Sequence, residues 1–91
     1  METREEIIDW LKDQGYTTIH EYKDEPGEFF DTHNHEGEQH MFVWKGSIEV
    51  DMDGQHYSCK EGDELVFPAK MMHSATVGPE GCDYIVGEKP S

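Results

Sequence analysis

The spacing of apolar residues changes once along this chain, from a helical period to a strand period. Ile7, Ile8 and Leu11 recur at the i, i+3 and i+4 separations that place side chains on one face of a helix, with Trp10 at its flank. Thr3 followed three residues later by Glu6 has the form of a capping box, and Gly15 is placed to stop the helix, so a helix is expected over about 3–14. A helix with a single apolar face has to bury it. This one is expected to lie against the outside of the domain that follows.

From there the chain reads as short strands separated by turn signals, at 17–22, 29–35, 39–44, 48–52, 55–60, 65–67, 73–77 and 82–86. Ile48, Val50 and Met52 alternate with Glu49 and Asp51, the pattern of a half-buried strand, and Asp53-Gly54 is a strong hairpin turn. Pro26-Gly27, Glu36-Gly37, Gly46, Pro68 and the stretch Gly78-Pro79-Glu80-Gly81 are read as breaks. Many short strands at regular spacing indicate an all-β sandwich or barrel, here over about 16–88 of a single domain 1–91.

Candidate chemistry is concentrated in two stretches, 27–46 (GEFFDTHNHEGEQHMFVWKG) and 62–77 (GDELVFPAKMMHSATV). In a strand, side chains alternate faces, so His33 and His35 point to the same side with Cα atoms about 7 Å apart. Two imidazoles at that separation can tilt onto one ion. The loop at Glu36-Gly37 can fold back to bring Gln39 or His40 from the neighbouring strand, and His73 from the second stretch would complete a cage with open positions. A His-x-His pair by itself is a weak signal, because short motifs recur by chance.

The whole pattern is more specific. Gly27, five residues, His33-x-His35, three residues, Gln39, six residues, Gly46 resembles the first motif of the cupin superfamily; Gly62, five residues, Pro68, four residues, His73 resembles the second. The resemblance implies a cupin-type double-stranded β-helix, or jelly-roll barrel, with a short N-terminal helix. It also implies one divalent transition metal ion held by His33, His35, Gln39 and His73, and a homodimer. The chain departs from the family at Gln39, where Glu is usual, and more peripherally at Lys70 and Val77, where Gly and Asn are usual. Parity sorts the neighbours. With His33 and His35 inward, Asp31 and Phe29 should be inward too. Gln39, Met41 and Val43 share one face, while His40, Phe42 and Trp44 share the other, which helix or dimer packing should cover. A bulge in the loop would let His40 replace Gln39. His73, Ala75 and Val77 share a face, and small Ala75 leaves room beside the ion.

Three neutral imidazoles and a neutral amide would leave the charge of a divalent ion uncompensated, favouring an anionic ligand at its open position. A three-His centre resembles those of iron-dependent cupin dioxygenases. The expected function is therefore a metal-dependent enzyme, of oxygenase or isomerase type, on a small anionic organic substrate. The alternatives are a non-enzymatic module for binding or sensing a small ligand, and an ion that only staples the barrel. Imidazole-rich sites do not distinguish Fe, Zn, Ni, Mn or Cu. Asp31 is a candidate base and Tyr57 and Tyr84 are candidates to enter the cavity, although packing or solvation is the preferred role for each. His20 and His56 fit no motif and are read as surface or structural.

Composition narrows the setting. With 34% apolar and 31% charged residues in 91, the core is lean, and a bound ion or a partner subunit would add stability. A net charge of −14 offers no basic patch, which argues against nucleic acid and anionic membranes as partners. The start, METREE, contains no apolar run, so neither a signal peptide nor a membrane span is expected. Cys59 and Cys82 are too few for a disulfide framework, which fits reduced thiols and a cytoplasmic location.

Overall fold

In the computed structural model, which describes residues 3–90, the elements run α1 (Arg4–Asp13), β1 (Thr18–Asp24), β2 (Phe29–His33), β3 (Gln39–Met52), β4 (Gln55–Lys60), β5 (Glu64–Phe67) and β6 (His73–Glu88). The outermost positions of the expected 1–91 domain, residues 1, 2 and 91, lie outside the described residues. All strand pairs are antiparallel.

Two long strands form the frame. β3 and β6 pair from Gln39↔Glu88 to Met52↔His73, and both strands continue through the expected breaks at Gly46 and 78–81, where the ladder between them skips from Gly46↔Cys82 to Ile48↔Val77. The breaks are bends. Gly46 and Gly81 take φ values of 76° and 82°, a region that costs a side-chain-bearing residue dearly. They also touch: a Cβ on Gly46 would sit 2.0 Å from the Gly81 carbonyl oxygen. Register shifts flank the bend between Val43 and Lys45 and between Gly46 and Ile48. Bulges of this kind bend strands and increase their twist. The sheet therefore folds over itself at a shared corner. On one side the first half of β3 carries β5 and the second half of β6 carries β1; on the other, β4 pairs with the second half of β3 and β2 with the first half of β6. This is the cupin jelly-roll arrangement. The β3–β4 turn has positive φ at both Asp53 (52°) and Gly54 (74°), as a two-residue type I′ hairpin requires.

Between the two halves lies the main core, which includes Met41, Val43, Ile48, Val50, Phe67, Val77 and Cys82. A second cluster sits outside. Ile7 and Leu11 of α1, with Tyr16, pack on Phe42 and Ile85, and Trp10 and Trp44 border them. The outward aromatic face of β3 is thus covered by the helix of the same chain. Thr3 caps that helix, its Oγ1 accepting from the Glu6 amide at 3.2 Å.

His40 belongs to this outer cluster. It is 6% exposed, stacks on Phe42 with ring centroids 4.7 Å apart, and its Nε2 lies 2.8 Å from Glu64 Oε1. From Gln39 to Phe42 the β3–β5 register is regular, so no bulge turns His40 inward. The expected parity of β2 fails for the opposite reason. Its register shifts between Phe30 and His33, and Phe30 lines the interior cavity while Phe29 is 61% exposed. Asp31 is exposed as well, its Oδ1 accepting from the Thr32 amide at 2.8 Å, so it does not stand beside the histidines as a base.

Candidate functional site

His33 closes β2 and His73 opens β6, and the ladder sets them opposite each other. His35 follows two residues after His33. Ring centroids are 4.4 Å apart for His33 and His73, 5.1 Å for His33 and His35, and 5.5 Å for His35 and His73. One nitrogen from each ring lies within 4.8 Å of the others, and no other group of this kind occurs among the described residues. Two tautomers are set by the backbone. His33 Nδ1 lies 2.6 Å from the Asp31 carbonyl oxygen, and His73 Nδ1 lies 3.1 Å from that of Met71. A carbonyl only accepts, so each Nδ1 carries the hydrogen and each Nε2 keeps its lone pair. Three imidazoles that bring one nitrogen each within 4.8 Å of the others, two of them held by backbone carbonyls, are a donor set that fits a divalent transition ion.

Electrostatics favour the neutral form of His35 and His73. Burial depresses the pKa of His73, His33 and His35 depress it further, and the Met71 hydrogen bond opposes them. Burial and then His33 depress His35, against a smaller upward pull from Glu88.

Because these two folded-state values lie below the ordinary 6.5, the unfolded chain binds more protons on the acid side, and stability must rise with pH there. That contribution is complete above the unfolded pKa and is lost as pH falls from about 6.5 toward the folded values, at no more than about 1.4 kcal/mol per pH unit per site. Urea unfolding of the metal-free protein at about pH 7.5 and 5.5 should show a shallower acid-side loss in His73→Asn than in wild type. Equal slopes would mean that His73 is not held neutral. Exposed His56, raised by hydrogen bonds to Asp51 and then Glu49, has the opposite sign and cancels in this comparison.

Gln39 faces the same cavity as the three histidines. Its amide nitrogen donates to Glu88 Oε1 at 2.8 Å, across the register pair Gln39↔Glu88. An ionised carboxylate can only accept, so the nitrogen must face Glu88 and the amide oxygen is left free. The surroundings are therefore less neutral than the ligand types alone suggest, because a carboxylate stands directly behind the amide. Glu88 lies beyond the expected strand end at 86. Continuing the alternation of Cys82, Tyr84 and Val86 by one step would have placed it on the inward face.

The cavity encloses about 340 Å³. Apart from these polar groups its lining includes Phe30, Met41, Ile48, Val50, Phe67 and Val86, with Ala75 beside His73 leaving space as expected. Tyr84 lines it, whereas Tyr57 packs against the core. His20 and His56 are exposed. Both cysteines are buried free thiols, raised in pKa chiefly by burial. No helix among the described residues is long and apolar enough to cross a membrane.

A bent two-layer β-sheet with a histidine-lined interior cavity defines a class of proteins, and comparison agrees. Residues 20–86 match the family model of the cupin domain, and this chain belongs to the cupin family. No curated protein matches the sequence. Among solved structures, an RmlC-like cupin from Shewanella frigidimarina is 24% identical with a TM-score of 0.73, over 81% of this chain and 66% of that one. KdgF from Halomonas sp. is 25% identical with a TM-score of 0.68, over 80% and 69% of the two chains. The DMSP lyase DddQ from Ruegeria pomeroyi is 19% identical with a TM-score of 0.75, over 80% and 38%. The chain thus spans about two thirds of the length of the first two and well under half of the third.

Proposed function

We propose that this cupin is a metal-dependent enzyme acting on a small anionic organic molecule, with His33, His35, His73 and the Gln39 amide oxygen holding one divalent transition ion. The observation that carries this reading is the grouping of three imidazoles on the wall of a cavity with space for a ligand. An ion that merely stapled the barrel would sit among packed side chains, with no such volume beside it. When bound, the ion would supply Lewis acidity and lower the pKa of bound water. The Asp31 and Met71 carbonyls hold the imidazoles, Glu88 orients the Gln39 amide, and the apolar walls restrict water and favour a ligand with an organic body. The fold is shared with DddQ, named as a lyase, but that likeness extends to the fold alone.

A second reading, a binding module without turnover, is favoured by one finding. Asp31 lies outside the cavity, the Tyr84 hydroxyl proton is engaged by Asp24 and Glu88 is committed to the Gln39 amide, so among the described residues no uncommitted acid or base stands beside the histidines. Oxygen uptake by the iron-loaded protein on addition of small organic acids and thiols separates the readings. Uptake that depends on substrate, and that disappears in His33→Ala, supports an oxygenase. Saturable ligand binding with neither oxygen uptake nor substrate conversion would leave the binding module.

A further inference from the structure

The cavity has a second polar end, built from residues outside both histidine motifs. Tyr84 donates its hydroxyl proton to Asp24 Oδ2 at 2.5 Å. Burial, and then Asp24 itself, push the Tyr84 hydroxyl well above its usual range, so it remains a donor to that carboxylate. With this proton committed, the pair offers the cavity only acceptors: the lone pairs of the Tyr84 oxygen and the second carboxylate oxygen of Asp24, which has no hydrogen-bond or ion-pair partner among the described residues. Among the described residues no lysine or arginine lines the cavity, so the Asp24 carboxylate meets no cationic side chain there. The Tyr22 ring stacks on that of Tyr84 at 5.2 Å, and π-faces attract cations.

This end is distant from the histidines. Along β6, Tyr84 lies four residues before Glu88, about 13 Å of strand, and it is Glu88 that contacts Gln39 and influences His35. The cavity is thus polarised, with imidazoles at one end and an uncompensated carboxylate beside stacked aromatic rings at the other.

We infer that the Asp24–Tyr84–Tyr22 end binds an ammonium group, so that the ligand is a small zwitterion with its anionic oxygen toward the histidines and its ammonium on Asp24. A neutral hydroxyl would satisfy the acceptors but leave the carboxylate charge unanswered, so the ammonium is the better match. The inference rests on the reading above that the histidine end holds an ion.

Titration calorimetry on zinc-loaded protein tests it, using ω-amino acids of about four to six carbons against alkanoic and ω-hydroxy acids of equal length. The ω-amino acids avoid the five-membered chelation by which α-amino acids would bind the ion regardless of Asp24. At the best length the amino acid should bind about tenfold tighter than the alkanoic acid, with the hydroxy acid between them. Asp24→Asn should reduce that preference to about twofold or less, and Tyr84→Phe should retain it, because the carboxylate and both rings remain. Binding of alkanoic acids with no preference for the amino series, or a preference that survives Asp24→Asn, overturns the ammonium site and leaves the metal reading intact. Failure of every acid to bind the zinc-loaded protein overturns both.

Discussion

Protein produced without a polyhistidine tag should carry about one transition-metal ion per chain by elemental analysis, and His33→Ala or His73→Ala should carry less than about a tenth of that after dialysis against a weak chelator. The size of the effect follows from the geometry. Residues that merely orient a ligand already cost about 10- to 100-fold in metal affinity when removed, so loss of one of three converging imidazoles should reach at least the upper end of that range. The two variants differ in what else they disturb. His33 is half-buried at a strand end, whereas His73 is 6% exposed and lies against Phe67 at 4.4 Å between ring centroids. His73→Ala therefore also opens a hole in the core, and His73→Asn, which keeps more of the volume, separates lost ligation from lost packing. His56→Ala is the control. Its ring is exposed between Asp51 and Glu49, and it should leave metal content unchanged. Wild-type metal content in folded His33→Ala and His73→Asn would refute the site.

The local signals in this chain are unequally legible, for physical reasons. Helix α1 was legible because Thr3, the Ile7–Leu11 spacing and Gly15 all act within a few residues of each other. The two histidine stretches are legible from their motif spacing, which the fold brings together although His35 lies past the end of β2 and strand alternation does not relate it to His33. Gly46 and Gly78 to Gly81 carry the local signature of chain breaks, although β3 and β6 run through both. A glycine with positive φ has the same local signature in a turn as in a bend; what distinguishes them is the contact of Gly46 with Gly81, residues far apart in sequence. The β2 bulge was equally hidden. It places Phe30 rather than Phe29 in the cavity, and nothing local to 29–33 announces an extra residue. Asp24 and Glu88 show the same limit at the level of chemistry. Each becomes a candidate only through a partner brought by the fold, Tyr84 for Asp24 and Gln39 for Glu88.

That last pair permits a sharper experiment than removal of a ligand. Gln39→Glu should keep the ion, since the carboxylate can replace the amide oxygen, yet weaken binding of a probe anion such as azide by about tenfold, because it adds a negative charge beside the open position. With Glu88 unchanged, it also brings two acceptor-only groups into contact where the Gln39 amide formerly donated at 2.8 Å. Glu88→Gln alone should lower metal affinity by about tenfold, because an amide facing an amide no longer dictates which end of Gln39 turns away. The double variant, Gln39→Glu with Glu88→Gln, reverses donor and acceptor and restores the hydrogen bond. It should bind metal more tightly than the two single changes predict by addition, with a coupling of about 1–2 kcal/mol from chelator competition. Effects that add within about 0.5 kcal/mol would show that Glu88 is an ordinary strand-end carboxylate. Anion affinity should remain low in the double variant, because the negative charge has moved from behind the amide to the ligand position itself. A return of wild-type azide affinity would mean that the net charge of the pair, and not the identity of the group facing the ion, controls what the open position accepts.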